Sequence, residues 1–574
     1  MTEPMTCFQP QRGGTPQPRP TAWVGKQPTS VGSPALKGRD NQPGSGSFNS
    51  RREFARPYFA PTGLDVSRRG DFGPRPLACA ELYRPVGASA GREGVKTGSS
   101  WRKPLRVATI AVLFLLAAAT TRAAEKEQPL PKDLPPYGAL KPFTAPQVTA
   151  QKLANGLTLW LVPRPGFPKV SYTLAVRGGL AADPQDLPGL ADLLTATLDQ
   201  GTTTRNARQI AEELQAAGGD LSASAGSESI IVNTSVLASK AEAGLAVLAD
   251  VAQNATFPES EVALAKSNAA DHLQEEEADP SFLAERAMAH VLFAHHPYSV
   301  TTLTQDSIAK ATAADLRREY ARRLRPDQAI LVVAGDFDAV KLTASAESLL
   351  GKWAAPSTPP VPAVAKPSLV PPHAVFFVDR PDSVQTTLVV GSIGPTESDP
   401  DYAATQVANA LYGGMFGSRL TLNIREDKGY TYSPYSYVVP RRTVGIFQTW
   451  AAVRNEVTGA TVNEIDYELN RMTTTTPSTE ELTHAQRYLV GNQAIELQSQ
   501  DSVGRSLARL WAIGLPAEEL GLESERLGKV TLGEVDSAAT KYFPAARQAI
   551  IAVGVEKVIK EQLAPFQLEV KPAP

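Results

Sequence analysis

Asp192, Thr195 and Ala196 stand at i, i+3 and i+4, a spacing that puts all three on one face of a helix. Two histidines at the outer places would let both imidazoles reach one zinc ion. A glutamate at the middle place, in the order His-x-x-Glu-His, would add a general base. Here the outer places hold a carboxylate and a methyl group, and the middle one holds a hydroxyl. One carboxylate with no nitrogen partner does not hold zinc, so the stretch 189–202 keeps the frame of a metal helix without its ligands.

The elements around this frame read as α+β. Asn155-Gly156 is a turn signal that opens a strand at 157–162, and Val170, Tyr172, Leu174 and Val176 alternate in the next strand. Leu190, Leu193, Leu194 and Leu198 give a helical stripe. A strand at 229–236, more helices up to Arg323 and a buried-type strand at 329–334 follow. Residues 353–372 contain seven prolines and read as a stiff linker. After it, strands at 376–378 and 386–390 and a helix near 402–411 restart the pattern.

The two halves read as copies. Asp183-Pro184 is echoed by Asp399-Pro400, Phe257-Pro258 by Thr476-Pro477, Thr312 to Leu316 by Thr531 to Val535, and Gln328-Ala329-Ile330 by Gln548-Ala549-Ile550. Four pairs in order at nearly one offset indicate a duplicated domain rather than a solenoid, whose units are far shorter.

Composition narrows the partners. Residues 1–123 carry 18 Lys+Arg and 7 Asp+Glu, leaving 39 and 52 downstream, a balance of about −13 that argues against nucleic acid or an anionic membrane. Trp101 to Arg106, the apolar run 107–119 and the small-x-small site at Thr121 to Ala123 read as a signal peptide for export. Residues 1–100, rich in Gly, Pro, Ser and Arg, have no apolar period and read as a disordered leader; a later start of translation, near Val95, is the simplest expectation. Cys7 and Cys79 both fall in it, so the mature chain is expected to have neither disulfides nor thiol chemistry. The expected organisation is leader 1–100, signal peptide 101–123, Pro-rich lead-in 124–144, domains 145–354 and 373–565 joined by linker 355–372, and tail 566–574.

Leu153-x-Asn155-Gly156-Leu157, Gly178-Gly179 leading to Asp183-Pro184, Gly189-Leu190-Ala191 leading to Gly201-Thr202, His296-Pro297-Tyr298, Val333 to Asp336 and the block 413–436 occur in family order. On these motifs the chain resembles the pitrilysin/insulinase family of zinc metallopeptidases over about residues 145–565, in particular its periplasmic two-domain branch. The resemblance implies two duplicated insulinase-like domains, each a mixed, largely antiparallel sheet with packed helices, facing each other across a chamber. It also implies an Arg and a Tyr seven residues apart that complete the site, which fall on Arg425 and Tyr432. A fixed phenol can donate to the oxyanion that forms on a scissile carbonyl, and a guanidinium can hold the substrate backbone. Tyr430 and Tyr435 beside them read as packing residues.

The family's third zinc ligand, a Glu, falls on His272 here, which reads as a helix-surface residue. His290, His295, His296, His373 and His484 offer no relocated metal site. Gly413, Gly414 and Gly417 form either a helix-terminal glycine cap or a substrate-binding loop of the kind related processing peptidases use. Residues 219–225 could be an edge strand that takes up extended peptide. Gly87 to Gly91 formally matches a nucleophile elbow but follows no strand, and Gly528-Lys529-Val530 lacks the hydroxyl of a phosphate loop.

Some members of the branch pair a His-x-x-Glu-His subunit with one that keeps only the Arg/Tyr pair, in a clam-shell. The expectation is a subunit of the second kind, free of cofactor and inactive alone, with zinc in a homologous partner, a peptide substrate and no membrane contact after signal cleavage. The alternative is an inert scaffold or assembly protein that retains only the fold.

Overall fold

The computed structural model describes residues 144–368 and 373–574. The leader, the signal peptide, both cysteines, Gly87 to Gly91, nearly all of the lead-in and residues 369–372 of the linker lie outside the described residues.

The N-terminal half builds one six-stranded sheet from β1 (Thr149–Lys152), β2 (Thr158–Pro163), β3 (Lys169–Arg177), β4 (Leu221–Ala225), β5 (Ser229–Leu237) and β6 (Ala329–Gly335). Their spatial order is β1-β2-β6-β3-β5-β4, with β2 and β6 parallel and the other pairs antiparallel. The C-terminal half repeats the plan with β7 (Val375–Asp379), β8 (Gln385–Gly394), β9 (Tyr435–Val439), β10 (Gly445–Arg454), β11 (Ala549–Gly554) and β12 (Val570–Pro572). The order β12-β7-β11-β8-β10-β9 matches the first sheet strand for strand apart from β1 and β12 at one edge. The fold is α+β, and the duplication read from the sequence is a duplication of topology. Thr312 and Thr531, paired in that repeat, each cap a helix with a reciprocal capping box.

The tail carries more structure than its composition suggested. β12 runs parallel to β7, and Glu569 accepts from Val375 N at 2.8 Å. The Asn-Gly turn is as expected: Gly156 has φ +96°, a left-handed conformation that glycine adopts at little cost.

Both faces of each sheet are covered. One face of the first sheet, with Leu159, Leu161, Tyr172 and Leu174, packs on helices of its own half, among them Leu190–Thr197 and Ala241–Asn254. The other face, with Trp160, Ile231, Ile330 and Val332, is closed by Val503, Leu507, Leu510 and Trp511 of helix Gln500–Ile513, which belongs to the C-terminal half. In return, Ala284, Ala287, Met288 and Leu292 of the N-terminal half's helix Pro280–Phe293 cover Val389, Ile446 and Ile551 of the second sheet. Each half thus lends a helix to the other.

The linker is pinned along this body. Arg325 Nη1 donates to Thr358 O at 2.6 Å, and His296 Nε2 lies 2.8 Å from Ala365 O. Among the described residues, no helix is long and apolar enough to cross a membrane.

Candidate functional site

The degenerate metal frame lies in the N-terminal half. Helix Leu190–Thr197 starts at Gly189, φ +81°, where a Cβ would stand 2.3 Å from Leu303 N, so the entry turn admits only glycine without displacing backbone. Asp183 accepts from Ala191 N at 3.2 Å and is itself held by the buried Arg323 at 2.7 Å, which fixes the helix start. The buried Thr195 hydroxyl donates to Asp192 O at 3.0 Å. His272 sits on helix Glu259–Glu277, which packs against this helix, and its Nε2 faces Glu276 Oε1 at 3.4 Å. The structure brings the helices of the four positions together. What they present is one carboxylate, a hydroxyl committed to the backbone, a methyl and an imidazole turned to its own helix. This donor set does not fit a tetrahedral zinc site. Among the described residues, no group of three His, Cys, Asp or Glu side chains could hold a metal.

The second set of positions lies in the C-terminal half, and here the structure joins what the sequence kept apart. Helix Tyr402–Asn409 runs directly into a π-helical turn, Ala410–Gly414, and Arg425 rides on a second π-helical turn, Leu422–Asp427. Such turns widen the helix and are frequent at functional sites. Neither Gly413 nor Gly414 adopts a positive φ, so neither is the left-handed cap. Each is small because of its neighbours: a Cβ on Gly413 would lie 2.6 Å from Ser436 Oγ, and one on Gly414 2.6 Å from Asn409 Nδ2. Asn409 and Ser436 bond at 2.7 Å, tying the glycine turn to β9. Gly417 is exposed, and among the described residues nothing lies within 4 Å of a Cβ placed there.

The cap is Gly429, φ +60°. Its N–H donates to Arg425 O at 3.1 Å, and Tyr430 N reaches back to Ile424 O at 2.8 Å. This turn reverses the chain, and Thr431 Oγ1 bonds to Ala452 O at 2.7 Å to lock the return. Tyr432 is thereby held outward, 78% exposed, with its ring 4.6 Å from Arg425 Cζ. Phe416, on the glycine loop and 63% exposed, places its ring at the same 4.6 Å from Arg425 Cζ. Glu426 Oε1 pairs with Arg425 Nε at 2.9 Å. Beside them Tyr435 stacks on Trp450, centroids 5.2 Å apart, and on Tyr437 at 5.8 Å; it is part of an aromatic ladder at the sheet edge and is still 39% exposed.

Phe416 and Gly429 were not among the residues expected at the site from the sequence. Gly429 was legible, since a glycine just past a helical segment ending in Asp-Lys is a stop signal. Phe416 carried no spacing signal, because its partner is set by the fold. Among the described residues β4 pairs with β5 alone, the edge position expected for residues 219–225.

An α+β duplication with a metal-helix frame and an exposed Arg/Tyr pair defines the insulinase-type peptidase fold. The family model for insulinase (peptidase family M16) matches residues 161–306, and that for the peptidase M16 inactive domain matches residues 310–489. The chain belongs to the insulinase (M16) family. It is similar to an uncharacterized zinc protease of Rickettsia felis, 25% identical over 409 residues that cover 70% of this chain and 96% of that protein. It is also similar to the non-peptidase homolog YmxG of Helicobacter pylori, 24% identical over 63% of this chain and 84% of that protein. Among solved structures, the peptidase M16 inactive domain from Pseudomonas fluorescens superposes with TM-score 0.67 at 24% identity, covering 75% of this chain and all of that one. A chain of complex III2 from Candida albicans gives 0.62 at 18% identity, over 72% of this chain and 97% of that one.

Proposed function

We propose that the chain is the zinc-free subunit of a two-chain insulinase-type peptidase in the periplasm, exported by the segment 101–123. It supplies Arg425, Tyr432 and half of the chamber wall, while the metal chemistry belongs to a homologous His-x-x-Glu-His partner. The phenol of Tyr432 donates to the oxyanion that develops on the scissile carbonyl, and Arg425 holds a substrate carbonyl. Gly413 and Gly414 set the path of the loop that borders them.

The observation that carries this reading is the contrast between the two sites. The metal positions have lost their donors, whereas Tyr432 is held 78% exposed against Arg425 by a built turn. A chain that kept only its fold has no use for an exposed aromatic pinned to an arginine.

The test is affinity purification of the tagged mature chain from its native periplasm. Co-elution of a zinc-motif homologue in equal amount supports the reading. Recovery alone, or within an unrelated large assembly, favours the scaffold reading, to which the similarity to a non-peptidase homolog lends weight.

A further inference from the structure

We propose that Phe416 is a third residue of the Arg425/Tyr432 site: a positioning residue that holds the Arg425 guanidinium so that its Nη edge meets a carbonyl or carboxylate oxygen of a bound peptide. This deepens the function proposed above and rests on it for the identity of the ligand.

Three groups restrain Arg425. Phe416 and Tyr432 each place a ring 4.6 Å from Cζ, and Glu426 Oε1 lies 2.9 Å from Nε. The two rings at Cζ and the carboxylate at Nε leave the Nη end of the guanidinium for a ligand, and among the described residues neither Nη1 nor Nη2 makes a hydrogen bond. That edge presents parallel N–H donors, the geometry that suits a carboxylate or a main-chain carbonyl.

Phe416 is otherwise hard to explain. It is 63% exposed on a loop whose next residue, Gly417, has open space around it. A phenylalanine this exposed gains little from burial, while a ring over a cation is attractive and stiffens a side chain that is otherwise rich in rotamers. The loop is anchored on both sides of it. Ser418 N donates to Met415 O at 3.0 Å, the Ser418 hydroxyl caps the helical turn Arg419–Thr421, and Gly413 leaves no room for a side chain against Ser436.

The full chain alone gives the first test. The Arg425 Nε–H proton resonance, assigned by its loss in Arg425→Lys, is expected upfield from the ring currents and moves downfield in Phe416→Leu. No movement overturns the proposal. Titration with an unstructured acetylated decapeptide shifts the same resonance in the wild type and about tenfold less tightly in Phe416→Leu. A shift with the amidated peptide identifies an internal carbonyl as the ligand, and one only with the free acid identifies the terminal carboxylate. No shift with either overturns the proposal.

With the zinc partner present, Phe416→Leu is expected to raise KM about tenfold while kcat changes less than about threefold, and Phe416→Tyr is expected to restore KM. A fall in kcat alone, or a leucine as good as tyrosine, overturns the positioning role. If no active complex forms but the peptide still shifts the resonance, the proposed peptidase subunit fails and the binding site stands.

Discussion

A phenol that does only structural work is usually buried and bonded, as Tyr412 is against Thr449 Oγ1 at 3.0 Å. Tyr432 is the opposite case, exposed and fixed through its ring. Removing its hydroxyl while keeping the ring therefore separates chemistry from packing: Tyr432→Phe lowers turnover of the reconstituted complex roughly 10–1000-fold with assembly unchanged. Unchanged turnover ends the catalytic role. The lost metal site gives a second prediction at this scale. Because the helices that carry 192, 195, 196 and 272 still pack together, the donor set and not the scaffold is what is missing. The purified chain is expected to hold no stoichiometric zinc, whereas Asp192→His, Thr195→Glu, Ala196→His and His272→Glu combined take up about one ion per chain, read by elemental analysis. Stoichiometric zinc in the unmodified chain would point instead to an independent zinc peptidase. That Arg425 and Tyr432 lie together was legible in the sequence, because spacing and context travel together in one block. Phe416 was not, because its role is a stacking relation across nine residues and two turns.

At the scale of elements, the strands were readable where one face alternates, as in β3. The other face of β3 hid its purpose: Ser171 and Thr173 look like solvent-facing residues and are fully buried. They lie under helix Gln500–Ile513, where Gly504 comes so close that a Cβ would stand 2.5 Å from Thr173 Oγ1. No local pattern announces a helix arriving from more than 300 residues away. Gly504→Ala sets two effects against each other. The helix gains about 1 kcal/mol from propensity. Overpacking against a hydroxyl already bonded to Asn233 at 2.9 Å costs about 1–3 kcal/mol, so the cost wins or at best cancels. Urea denaturation is expected to show a net loss of about 1 kcal/mol, which Thr173→Ala relieves in the double variant. A stabilised Gly504→Ala would mean that the helix does not seat on the sheet as described. The π-helical turns were also invisible in advance, since a single turn of i→i+5 bonding is shorter than the stretch over which a helical period is read.

For the whole molecule, the exchange of helices ties stability to both halves at once. Glu285, Glu523 and Asp466 sit above the usual carboxylate range, and one of them, Glu285, is on the exchanged helix Pro280–Phe293. Burial, with Asp279 nearby, pushes Glu285 up to about 7; burial, with Glu397, does the same to Glu523; and burial raises Asp466 to about 6. The folded state thus holds protons that the unfolded chain releases, so their contribution is complete below about pH 4 and is lost as pH rises through 6 to 7. The urea midpoint is expected to fall between about pH 5 and pH 7.5, and Glu285→Gln to flatten that slope. A midpoint that rises over this range would reverse the assignment.

The same exchange decides what the proline-rich linker does. If it were a hinge between independent domains, cutting it would release two folded units. Instead, Trp160, Ile330 and Val332 of the first sheet are closed only with the help of Val503, Leu507 and Trp511, and Ile446 and Ile551 of the second with Ala287, Met288 and Leu292. Limited proteolysis at 359–363, between the contacts of Arg325 to Thr358 and His296 to Ala365, should leave two fragments that co-elute on size exclusion and melt in one transition. Residues 145–354 expressed alone should be insoluble, because the uncovered sheet face is a broad apolar patch. Fragments that separate without denaturant would show that the halves are autonomous domains and that the crossed helices contribute little to holding them together.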